Sequence, residues 1–161
     1  PVTAREMAPL VLEALQEAEG YAPDLVVHLR PTAPPRDPAW IEAAIEALVA
    51  NPEADSIRSV SPPAAHPYRV FEITAEGLLY PVMKHRHPEP HLLRRQEHPP
   101  MYHYNCVIDV TRRRTLLELE SMTGARMLPH VMAAEDVFDI DTIEDLRRAE
   151  ATLRARLEAT S

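Results

Sequence analysis

Apolar residues recur along this chain at helical spacing in some stretches and at strand spacing in others, and their order predicts an α/β chain. Thr3 reads as a helix N-cap with Glu6 completing a capping box, and Met7, Leu10, Val11, Ala14 and Leu15 form an apolar stripe that ends at Gly20. Residues 24–30, D-L-V-V-H-L-R, read as a buried central strand that runs into the proline-fixed loop P-T-A-P-P-R at 31–36. Asp37 caps a second helix with Pro38 at its first position, and Trp40, Ile41, Ala44, Ile45 and Leu48 line its inner face. Residues 55–60, D-S-I-R-S-V, make an alternating strand, and strand, helix and strand together predict a right-handed βαβ unit.

The pattern breaks between residues 61 and 100. Pro62, Pro63, Pro67, Pro81, Pro88, Pro90, Pro99 and Pro100 interrupt it, and six of the chain's eight histidines lie between His66 and His103. Within it, 68–74 and 78–82 predict a hairpin across Ala75, Glu76 and Gly77, and the remainder reads as an extended arm with a basic stretch at 92–96. Regular patterning then resumes. A strand is expected at 101–110, a helix or loop at 115–121, an edge strand at 126–132 and a last amphipathic helix from Ile143 to about Glu158, with Leu146, Ala149, Leu153 and Leu157 inward.

Residues 137–145, V-F-D-I-D-T-I-E-D, carry the candidate chemistry. Val137, Phe138 and Ile140 favour an extended strand, and a period of two sends Asp139 and Asp141 to one face, about 6.5–7 Å apart. Two carboxylates so placed suit a hard divalent cation with bound phosphates, or else a solvated strand end whose charge favours the following helix. Thr142 reads as that helix's N-cap, with Asp145 in the Glu position of a capping box.

Composition narrows the function classes. The 161 residues suit one domain, 1–161, and at 45% hydrophobic content they can bury a real core. A net charge of −8 argues against nucleic acid as the main partner, and no apolar run approaches the roughly 20 residues that span a bilayer. Cys106 stands alone, so no internal disulfide forms and a reducing, cytoplasmic setting is expected. Three glycines against 17 prolines leave no glycine-rich phosphate loop. A chain that opens on Pro1 with a helix already under way is expected to lack an N-terminal part. His85, His87, His91, His98 and His103 have no cysteine or nearby carboxylate to complete a zinc site, and His103 and Cys106 fall on opposite strand faces.

Several stretches together resemble the acylneuraminate cytidylyltransferases, which make CMP-activated nonulosonic (sialic-type) sugars. They are V-V-H-L-R-P-T-A-P-P-R at 26–36, A-D-S-I-R-S-V at 54–60, H-P-Y-R at 66–69, R-R-Q at 94–96, Y-N-C-V-I at 104–108 and D-I-D-T-x-x-D-L-x-x-A-E at 139–150. The resemblance covers about residues 24–150. It implies a Rossmann-like mixed sheet of the nucleotide-diphosphosugar transferase type, with a dimerisation arm inserted at 67–100 and a homodimer as the assembly. The family's first strand and its glycine- and lysine-rich triphosphate loop have no counterpart here, since Lys84 is the chain's only lysine. The chain is thus similar to the C-terminal two thirds of such an enzyme, and alone is expected to be inactive.

The implied reaction is attack of an anomeric hydroxyl on the α-phosphate of CTP. Its partners are CTP and an acidic nine-carbon sugar, and its cofactor is Mg²⁺ held by Asp139 and Asp141. Arg94 and Arg95 are the implied receptors for the sugar carboxylate, while Gln96, Tyr104, Asn105, Arg30 and Thr32 complete the substrate-binding set. Arg30 stands where the family has a glutamine that contacts the sugar, and Cys106 stands at a glycine position. The alternatives are another acidic sugar, such as a 3-deoxy-octulosonate, or a non-catalytic sugar-binding or dimerisation module.

Overall fold

A computed structural model describes residues 3–160, so the ends of the expected 1–161 domain lie outside the described residues. The chain divides into two compact units, one built from the residues up to Val60 together with Tyr104 onward, the other from Ser61–His103. The expected arm at 67–100 falls inside the second.

In the first unit, helix α1 spans Ala4–Glu19 and starts as its sequence dictates. The Thr3 N–H donates to Glu6 Oε2 at 2.8 Å, the Glu6 N–H returns a bond to Thr3 Oγ1, and Gly20 ends the helix at φ 67°. Its stripe is not core, however. Leu12 is buried, whereas Met7, Leu10 and Val11 are exposed, and the helix lines an open apolar groove beside strand β1, Leu25–His28. Helix α2, Pro38–Val49, is capped by Asp37, whose Oδ1 accepts the Ala39 N–H at 2.9 Å. Then follow β2 (Ser56–Ser61) and, beyond β3 (Phe71–Ile73) and β4 (Leu79–Pro81) of the second unit, β5 (His103–Arg112), the short helix α3 (Arg113–Leu117), β6 (Met127–Val131) and α4 (Ile143–Thr160).

The four-stranded sheet has the order β1-β5-β2-β6, with β1 antiparallel to β5 and β2 parallel to β6. This corrects two expectations. The strand at 24–30 is shorter, half-buried and at the sheet edge, and β5 lies between β1 and β2. Strand β2 is accordingly buried on both faces rather than alternating. The core packs Ala44 and Leu48 of α2 against Ile57, Val107, Ile108 and Val110. Among the described residues of α4 only Ala149 is fully buried, while Leu146 and Leu157 are exposed.

The second unit holds the predicted hairpin, β3 (Phe71–Ile73) against β4 (Leu79–Pro81), turning at Gly77 with φ 79°. Its remaining length is turns and single 3₁₀ turns, because prolines deny it backbone donors.

Cys106 adopts φ 62°, the left-handed region that costs an L-residue about 1–2 kcal/mol. Glycine lacks the Cβ that causes this cost. We therefore expect Cys106→Gly to raise stability by about 1 kcal/mol in urea denaturation, with an unchanged m-value. A loss of stability would show that the thiol's packing outweighs the strain.

Candidate active site

The loop after β1 gathers the candidate residues of the first unit. Pro31, Pro34 and Pro35 prevent it from continuing as helix, so its backbone groups are free to tie other segments. Arg36 anchors it from below: its Nε donates to the Val107 carbonyl at 2.8 Å and its Nη2 donates to the Arg30 carbonyl. Thr32 offers its carbonyl to the Ile140 N–H at 2.8 Å, which fastens the 137–141 segment to the loop.

That segment is not a strand, contrary to expectation. A 3₁₀ turn at Ala134–Asp136 precedes it, and it makes no sheet ladder; its one backbone bond to the body is the Thr32–Ile140 pair. Phe138 is buried and Val137 and Ile140 are half-buried, while Asp139 and Asp141 are both exposed. Among the described residues neither carboxylate has an ion-pair or hydrogen-bond partner. The helix start is as expected. Thr142 Oγ1 accepts the Asp145 N–H at 3.2 Å, and Asp145 Oδ2 accepts the Thr142 N–H at 3.0 Å. The Thr142 hydroxyl, then its N–H, hold the Asp145 carboxyl below the usual carboxylate range.

Above the loop stands a polar cluster that local patterning could not reveal. Tyr104 and Asp109 are five residues apart on β5, an odd separation that should place them on opposite faces. The left-handed turn at Cys106 works as a bulge and brings them together: the Tyr104 hydroxyl donates to Asp109 Oδ2. Asp109 is 2% exposed and also lies 3.2 Å from Arg58 Nη1, with His28 Nδ1 at 3.8 Å. Arg58 Nη2 donates to Thr111 Oγ1 at 3.0 Å. Arg30 Nη2 donates to the Tyr104 hydroxyl at 3.2 Å, and the guanidinium carbon sits 5.7 Å from the ring centroid. Burial first, and then Asp109, hold the Tyr104 hydroxyl protonated well above its ordinary range, so Tyr104 is a donor here and not a base. Asn105 is buried; its Oδ1 accepts the Val107 N–H, and its Nδ2 has no partner among the described residues.

The carboxyl end of β1 thus assembles Arg30, Thr32, Tyr104, Asn105 and the Asp139–Asp141 segment, while Asp109, Arg58 and His28 are additions from the tertiary structure. Arg94, Arg95 and Gln96 lie exposed in the second unit around a single 3₁₀ turn, where the Arg94 N–H donates to Glu97 Oε2. There Arg95 lines a cavity of about 510 Å³ together with Arg69, His66, His98 and Tyr102. His66 and His98 stack at 4.3 Å. Arg69 and His66 belong to the 66–69 stretch already quoted, and their meeting with Arg95 depends on the fold of the unit.

Solved structures share this architecture. The chain superposes on a CMP–2-keto-3-deoxy-manno-octonic acid synthetase complexed with CTP with a TM-score of 0.56 and 16% identity, over 91% of this chain and 67% of that one. A 4-diphosphocytidyl-2C-methyl-D-erythritol synthase from Anaerococcus prevotii DSM 20548 matches with a TM-score of 0.59 and 14% identity, over 96% of this chain and 68% of its own. This is a nucleotide-diphosphosugar transferase fold. No protein-family model and no curated protein sequence matches the chain.

In such a fold, ligands gather beyond the carboxyl ends of the strands, and the β1 loop with its tied carboxylates occupies that position. Among the described residues no three His, Cys, Asp or Glu side chains converge on a metal-sized site, so a cation here would draw on Asp139, Asp141 and oxygens from other sources. Two exposed, unpartnered carboxylates supply the hard oxygen donors that Mg²⁺ prefers while it keeps waters and phosphate oxygens as further ligands. The donor set fits. No helix among the described residues is long and apolar enough to cross a membrane.

Proposed function

We propose that the protein is a CTP-using nucleotidyltransferase, which activates a nonulosonic (sialic-type) acid to its CMP derivative. What supports this reading most is the Asp139–Asp141 segment tied to the Thr32 carbonyl at the carboxyl end of β1, in a fold whose solved examples include a CMP–sugar acid synthetase complexed with CTP. In the reaction the sugar's anomeric oxygen forms a bond to the α-phosphorus of CTP, the bond from that phosphorus to the pyrophosphate oxygen breaks, and the hydroxyl proton leaves for solvent or a base. Such a transfer depends on position and on charge neutralisation rather than on a covalent intermediate.

Asp139 and Asp141 are the residues that would hold Mg²⁺, which when bound neutralises the phosphate oxygens. Asn105 Nδ2, buried without a partner, is a donor suited to a sugar hydroxyl or acyl group. In the second unit, Arg69 and Arg95 give the 510 Å³ cavity two guanidiniums suited to an anionic group. The homodimer remains part of the proposal. A 3-deoxy-octulosonate is the second reading, favoured by the likeness to the octonic acid synthetase.

The test is a thermal-shift and calorimetric titration of the chain with CTP, with and without Mg²⁺. Mg²⁺-dependent stabilisation by CTP is expected; at CTP a hundredfold above its Kd this amounts to about 2.7 kcal/mol. CTP binding that ignores Mg²⁺, or no CTP binding at all, would refute the catalytic reading in favour of a non-catalytic module.

A further inference from the structure

The 137–141 segment has no sheet ladder, so the placing of its two carboxylates falls to other contacts. Residues around them supply these. Asp136 Oδ1 accepts a hydrogen bond from Arg156 Nη2 at 2.6 Å, and the Phe138 ring centroid lies 5.5 Å from the guanidinium carbon of Arg148. The Ile140 N–H reaches the Thr32 carbonyl at 2.8 Å, and Thr142 is bonded to Asp145. The first two of these ties come from α4.

The charges of residues 136–145 divide in the same way. Asp136 pairs with Arg156, Glu144 with Arg147 at 3.4 Å and Asp145 with Arg148 at 4.0 Å, all three arginines belonging to α4. Asp139 and Asp141 are the acids of this stretch with no ion pair among the described residues; Glu135, just before it, is exposed and also unpaired among them. Two like charges without a counter-charge repel each other. A segment free to splay would have to be reordered each time a cation binds, and that ordering subtracts from affinity.

Arg156 is the tie that joins most. Its guanidinium bonds Asp136 and also lies 5.6 Å from the Trp40 ring centroid, so one side chain links α4, α2 and the start of the segment. A planar guanidinium can stack on a ring while its edge donates to a carboxylate. The side chains of this pair are 38% and 32% exposed, against 70% and 76% for Arg147 and Glu144, so solvent screens it less.

We infer that Arg156 is a positioning residue for the two carboxylates: through Asp136 it fixes the entry to their segment, as Thr32 fixes its middle, and so raises their affinity for a divalent cation. This rests on the metal-dependent transfer proposed above and deepens it, since metal binding then depends on an ion pair made from α4. The sign of the effect separates positioning from charge. Arg156→Ala removes a positive charge and Asp136→Asn a negative one, so electrostatics alone tightens cation binding in the first and weakens it in the second. Positioning weakens both.

The probe is Mn²⁺, followed by the loss of its free electron paramagnetic resonance signal and titrated with CTP present. The samples are full-length wild type, Arg156→Ala, Arg156→Lys, Asp136→Asn, the double variant Asp136→Asn, Arg156→Ala, and Arg147→Ala. Circular dichroism at the titration temperature checks that each is folded. Arg156→Ala and Asp136→Asn are each expected to weaken Mn²⁺ binding about three- to tenfold, less than the loss of a group bonded directly to a metal ligand. Arg156→Lys should recover part of that loss, and Arg147→Ala should bind as wild type does. The double variant should be no weaker than the worse single, because both substitutions break one contact. Unchanged or tighter binding by Arg156→Ala, or losses that add in the double variant, overturns the inference and leaves the transfer standing. Should Arg156→Ala not fold, Asp136→Asn with wild-type affinity overturns it in the same way. A wild type that binds no Mn²⁺ beside CTP refutes the metal-dependent transfer itself, and the inference with it.

Discussion

Asp141→Ala is expected to lower CTP-dependent transfer by roughly 10²- to 10³-fold in kcat, the scale seen when one group that stabilises developing charge is removed. The full-length protein is the sample. The expected loss is large because phosphoryl transfer offers little covalent chemistry to compensate for a metal that has lost one of its two carboxylate ligands. Asp141 is exposed and its side chain has no partner among the described residues, so the same variant should unfold within about 0.5 kcal/mol of wild type. Activity lost at unchanged stability is the signature of a metal ligand. Turnover within a factor of a few of wild type would remove the metal-binding role.

Asp109→Ala is expected to do the reverse and to act mainly on folding. It leaves Arg58, 7% exposed, with a buried positive charge and only the Thr111 hydroxyl for company. Breaking a buried ion pair from one side costs about 3–5 kcal/mol, most of it the unpaired charge rather than the lost attraction. For a chain of this size each kcal/mol is about 2–4 °C in melting temperature, so a fall of about 10 °C is expected by calorimetry. The double variant Asp109→Ala, Arg58→Met removes both charges and should recover a large part of that loss. A double variant no more stable than the single would mean that Arg58 is solvated in its place, and that the cluster is looser than its distances suggest.

How much of this was legible before folding depends on how far apart the interacting groups are. The 137–145 stretch shows both sides. Its carboxylates, its inward apolar residues and the Thr142–Asp145 cap were readable, because each is a matter of one to three residues. Its backbone was misread as a strand. Val137, Phe138 and Ile140 have strand propensity, but a strand also needs a neighbour to pair with, and here the only one supplied is the Thr32 carbonyl. The α1 stripe is similar: the period was right, and its burial was not, since Met7 and Val11 line an open groove.

The amino-acid order by itself determined the helix caps at Thr3, Asp37 and Thr142, the stop at Gly20, the Gly77 hairpin and the proline-fixed loop after β1. These are decided by sterics and hydrogen bonds within a few residues of one another. Tertiary structure alone decided that β1 lies at the edge with β5 inserted beside it, that the Asp139–Asp141 segment is tied to Thr32, and that Asp109 meets Arg58, Tyr104 and His28. The physical reason is that a buried charge finds its counter-charge across the sheet. Arg58 reaches Thr111, 53 residues along, and no local pattern records which strand becomes whose neighbour.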